Sequence, residues 1–87
     1  MSSTDPTNLV VPDQPKTLLS NSSSVLGYSY DSTNYVLDVW YKSKRGGSIY
    51  RYYLFYPPAL SQVFDSGSGF GLKLRNAVKG LRYIKLR

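Results

Sequence analysis

The sequence predicts a small α+β domain: a three-stranded antiparallel sheet followed by two helices. Three observations lead there. Apolar and aromatic residues alternate between positions 25 and 56, the two-residue period of half-buried strands. From position 58 the apolar spacing changes to that of helices. The chain has 87 residues, which allows one small domain.

Each element has its own justification. Residues 1–21 read as a flexible N-terminal tail, because Pro6, Pro12 and Pro15 stand among Ser, Thr, Asn and Asp. The domain then covers residues 22–87. A first strand near 24–30 ends at Asp31-Ser32-Thr33-Asn34, whose polar side chains suit a turn. The second strand, near 35–43, places Tyr35, Leu37, Val39 and Tyr41 on one face and Val36, Asp38, Trp40 and Lys42 on the other. Lys44-Arg45-Gly46-Gly47 makes a hairpin turn to a third strand near 48–56, closed by Pro57-Pro58. A short helix near 58–65 has Pro in its first turn. A second helix near 69–80 carries the apolar stripe Phe70, Leu74, Ala77, Val78 and Leu81, and Gly80 stands at its end. Alternation returns over residues 82–87, which allows a short C-terminal strand. The expected core is Val25, Leu37, Val39, Leu54, Leu60, Val63, Phe64, Leu74, Val78 and Leu81.

Composition excludes much chemistry. There is no His, Cys or Glu, so zinc and iron–sulfur sites, disulfides, Cys nucleophiles and Ser-His-Asp triads have no residues to form them. The five aspartates are scattered and make neither an acid–base pair nor a metal site. A non-enzyme without cofactor is expected. No apolar run is long enough to span a membrane and the first residues lack a signal peptide's pattern, so the expected location is cytoplasmic.

Charge is unevenly divided. Residues 1–40 carry a net −3 and residues 41–87 a net +9, which points the C-terminal half toward an acidic partner. Nine tyrosines are present, seven of them between Tyr28 and Tyr53. Aromatic faces stack on bases while neighbouring cations hold phosphates. The expected nucleic-acid-binding residues are therefore Trp40, Lys42, Lys44, Arg45, Arg51, Tyr52, Arg75, Lys79, Arg82 and Lys85. The same tyrosines also suit a half-buried sheet face or a protein-interface hot spot, and the same cations suit a solvated helix face. Asp31 either closes its own turn or orients a ligand group. Gly67, Gly69 and Gly71 precede a basic helix but match neither a P-loop nor a dinucleotide fingerprint, so a helix start with Ser68 as cap is the simpler reading.

Ser23-Ser24, Tyr30-Asp31, Leu37 and Val39, Gly47 with Tyr50 and Tyr52, Pro58, Ser68-Gly69-Phe70-Gly71, Leu74 and Val78-Lys79-Gly80 occur in an order that resembles the KTSC domain. That family occurs at the C-terminus of some lysyl-tRNA synthetases and as short single-domain proteins of bacteria and phages. Where the family usually has Phe-Asn, Leu74-Arg75 stands here. The resemblance implies an α+β fold over residues 22–86 and, through the synthetase context, RNA binding. Two functions are expected in consequence. The first is a non-catalytic module for RNA or single strands. The alternative is a small phage-type inhibitor that docks on a host enzyme or defence complex, with an acidic protein surface as its partner.

Overall fold

A computed structural model of the chain describes residues 14–20, 22–42, 47–65 and 69–87. The elements are β1 (Thr17–Leu18), β2 (Val25–Asp31), β3 (Val36–Tyr41), β4 (Ser48–Tyr53), α1 (Pro57–Phe64), α2 (Phe70–Val78) and β5 (Tyr83–Lys85). All five strands form one antiparallel sheet in sequence order. The class is the expected α+β; the sheet gains an unexpected strand, β1, at one edge, and the short C-terminal strand that alternation allows joins the other edge as β5.

The unexpected strand lies inside the expected tail. Thr17 and Leu18 pair with Tyr28 and Gly27, and the Leu19 N–H donates to the Leu26 carbonyl at 2.9 Å. Gly27 makes this approach feasible: a Cβ there would collide with the Thr17 carbonyl oxygen and the Pro15 ring. Residues 1–13 lie outside the described residues. The C-terminal strand, β5, returns after the helices to pair with β4, matching Tyr83 with Tyr52 and Lys85 with Tyr50.

Strand parity decides what each side of the sheet carries. Leu37, Val39, Tyr28, Tyr50 and Tyr52 share the face on which Val63 of α1 and Leu74 of α2 pack. Tyr28 stacks on Phe64 at 3.9 Å between ring centroids. The partly buried Leu60, Phe64, Val78 and Leu81 complete this core. The opposite face holds Asp38, Trp40, Ile49 and Arg51, and the first three are buried there as well.

One expected core residue is displaced. Leu54 is 57% exposed, and Phe55 fills the core position instead. Leu54 takes φ 60°, which breaks strand alternation immediately after β4 and turns the next side chain inward. The Tyr30 hydroxyl donates to the Phe55 carbonyl and the Phe55 N–H to the Tyr35 carbonyl, pinning this bend. The turn after β2 forms as the polar residues predict. Asp31 accepts from the Thr33 N–H at 2.9 Å, the Asn34 N–H at 3.2 Å and the Asn34 amide at 2.8 Å.

Gly69 stands at the N-cap position of α2 with φ 69°; Ser68, the expected cap, lies outside the described residues. It ends at Val78, before Gly80, because Lys79 is already extended. No helix among the described residues is long and apolar enough to cross a membrane.

Candidate nucleic-acid interface

The two faces treat their aromatic residues differently. Trp40 follows the parity of Asp38 and lies on the face opposite the helices. It is 2% exposed, and its Nε1 is buried without a hydrogen-bond acceptor among the described residues. Tyr52 is 7% exposed within the core, and its hydroxyl is 2.8 Å from that of Tyr41. Neither ring offers a free face, so Trp40 and Tyr52 are corrected from stacking platforms to packing residues. Alternation could not relate their faces without the β3–β4 register, which puts them on opposite sides of the sheet, each buried.

Arg51 is also accounted for. Its Nε donates to Asp38 Oδ1 at 2.7 Å and its Nη2 to Oδ2 at 2.8 Å, a bidentate pair between directly opposed residues of β3 and β4. The hydrogen bond to Asp38 holds the guanidinium pKa above its ordinary value. A cation committed to a neighbouring carboxylate is a poor phosphate ligand, which corrects the expectation for Arg51. Lys42 is exposed, with its Nζ donating to the Ser22 carbonyl at 2.6 Å. Lys44 and Arg45 lie outside the described residues.

The remaining cations gather toward the end of the chain. Arg75 is exposed on α2, Lys79 caps it, and Arg82 and Lys85 are exposed at and beside β5. Arg82 is placed by its carbonyl, which accepts the Tyr53 N–H at 3.0 Å.

Beside Lys85 stand two rings that sequence reasoning missed, Tyr50 and Tyr83. Tyr83 is 57% exposed. Its ring centroid lies 5.7 Å from Tyr50 and 6.0 Å from Tyr52, at tilts of 42° and 44°. Lys85 places its Nζ 6.0 Å from the centroid of the Tyr50 ring. The available signal was the parity of Tyr83 and Lys85, two residues apart. Using it required knowing that β5 pairs with β4, across the whole helical segment.

Burial, followed by hydrogen bonding to Tyr52, pushes the Tyr41 pKa far up, and burial raises Tyr52 and Tyr30. A groove of about 370 Å³ between the helices is lined by Gln62, Val63, Lys73, Asn76 and Ala77. What the Tyr50–Tyr83–Lys85 corner can do is stack a planar group and hold an anion beside it. No protein-family model matches this chain, and no curated protein or solved structure matches it either.

Proposed function

We propose that this protein is a non-catalytic module that binds RNA or single-stranded nucleic acid through the β5 corner of its sheet. One observation carries the reading: an exposed Tyr83 ring propped on Tyr50, with Lys85 on the same face. A base stacks on Tyr83 while Lys85 takes the adjoining phosphate, and Arg75, Lys79 and Arg82 add to the positive charge of this end of the chain. The motif order resembling the KTSC domain is consistent with this.

Fluorescence anisotropy with a labelled single strand at several salt concentrations tests it. Each phosphate contact should contribute about −0.7 to the slope of log affinity against log salt. Removing Arg75 and Lys79 together flattens the slope by roughly one to one and a half units. Tyr83→Leu should cost about 1–3 kcal/mol with little change of slope. No binding tighter than about millimolar at low salt rejects the reading, since even non-specific electrostatic affinity exceeds that.

A second reading, docking on another protein, is favoured by a separate surface. Leu54, Tyr56 and Tyr35 are exposed at one end of the sheet, and Tyr35 and Tyr56 meet edge to face at 4.8 Å. Residues 52–64 contain no charge, and interface centres are depleted of charge and rich in Tyr. A 1:1 protein complex lost on Leu54→Asp, with no oligonucleotide binding, selects this reading.

A further inference from the structure

We infer that the β5 corner accepts one unpaired nucleotide at a time, as in a bulge or a strand end, and does not follow an extended strand. The inference rests on the nucleic-acid reading and concerns how many bases that site holds.

The argument is a census of rings. The chain has nine tyrosines, three phenylalanines and one tryptophan, all among the described residues. Proteins that follow a single strand present successive rings to successive bases. Here most rings are used internally. Tyr28 is stacked on Phe64, and Phe64 on Phe70. Tyr52 is buried under Tyr41 and Tyr50, and Trp40 and Phe55 are buried outright. Tyr50 is half-buried, with Tyr41, Tyr52 and Tyr83 around it and Lys85 above it. Tyr30, Tyr41 and Tyr53 are half-buried too: Tyr30 meets Phe55 edge to face, Tyr41 packs on Tyr50, and Tyr53 lies beside Arg51, which is committed to Asp38. Three large rings remain exposed: Tyr35, Tyr56 and Tyr83. Tyr35 and Tyr56 pack on each other beside a charge-free segment, where nothing would hold a phosphate.

Tyr83 is thus the exposed ring that also has a cation on its own face. It leans on Tyr50 and Tyr52 on one side and keeps the rest of its surface in solvent, which is room for one stacked base. Lys85 follows two residues later, about 7 Å along the strand, within reach of the adjoining phosphate. A paired base inside a duplex cannot reach such a platform, because both of its faces are already stacked.

The test compares two RNA hairpins of equal charge, each closed by a non-nucleotide linker so that no loop base is unpaired, one fully paired and one with a single bulged adenosine replaced by 2-aminopurine, by anisotropy and by probe fluorescence. The bulged hairpin should bind about 5- to 150-fold tighter, with quenching of the probe. Tyr83→Leu should abolish both the preference and the quenching and leave binding to the paired hairpin unchanged. Tyr83→Phe keeps the ring and should retain the preference; matching melting temperatures for the two variants show that the fold is intact. Equal binding of both hairpins, or a preference that survives Tyr83→Leu, overturns the inference and leaves nucleic-acid binding standing. Affinity that keeps rising with single-strand length beyond the statistical gain in sites does the same. Absence of binding to either hairpin and to single strands overturns the nucleic-acid reading itself, and the inference with it.

Discussion

The two faces of the sheet carry the same kinds of residue and use them in opposite ways. On the face opposite the helices, Arg51 of β4 and Trp40 of β3 are diagonal neighbours, and both are consumed: the cation by Asp38, the ring by burial. On the helix-bearing face, Tyr83 and Lys85 sit on the edge strand and keep solvent access. An aromatic and a cation close in sequence therefore do not make a binding surface. What matters is whether a carboxylate stands opposite the cation and whether the strand lies at the edge of the sheet.

This contrast can be broken experimentally. The largest effect belongs to the helix-bearing core. Leu74 is fully buried whereas Leu72 is exposed, so Leu74→Ala should cost about 2–5 kcal/mol and Leu72→Ala little, measured by urea unfolding. Equal losses would mean that α2 does not pack on this face. Next comes the opposite face. Asp38→Ala leaves a largely buried guanidinium unpaired and should cost about 2 kcal/mol, less than a fully buried pair because Arg51 retains some exposure. Replacing both residues with Val and Met should recover most of that loss in a double-mutant cycle, and oligonucleotide binding should survive. Loss of binding in the folded double variant would move the site to this face.

The smallest effect sharpens the comparison at the β2–β3 turn. Hydrogen bonds from the Asn34 side chain and main chain, and from Thr33, hold the Asp31 carboxyl below its ordinary value. Its folded-state pKa is depressed, so its contribution is present above the unfolded value and fades as pH falls through the folded one. The difference in melting temperature between wild type and Asp31→Ala should be small near neutrality and vanish in acid. A difference that grows in acid would contradict the turn geometry.

Much of the central fold was legible in the sequence because it depends on local signals. Alternation placed Leu37 and Val39 inward, the Asp31 turn formed as its side chains require, and the stripe through Phe70 and Leu74 is the buried side of α2. Three features were not legible. Leu54 left the core through a positive φ that no property of leucine foretells. β1 depends on the contact of Pro15 and Thr17 with Gly27, and the expected C-terminal strand, β5, finds its partner β4 only across the helices, both non-local. The site suffered most from the last of these. Its cations Arg82 and Lys85 were recognised from charge alone, but the rings Tyr50 and Tyr83 beside Lys85 become a site only once β5 is in register.

The position of β5 has a consequence for motion. The strand is joined to the rest of the sheet across residues 54–82, and none of the fully buried side chains belongs to it. Its detachment is a local opening that leaves the core intact and dismantles the base platform. The Tyr53 and Ile49 amides donate to the Arg82 and Arg87 carbonyls, so their exchange with solvent deuterium reports that opening directly. A ligand that requires β5 in place must slow exchange at those two amides by the ratio of its concentration to its dissociation constant; without ligand they exchange through the local opening, whereas the amides of Leu37 and Val39, between the central strands, exchange only through global unfolding.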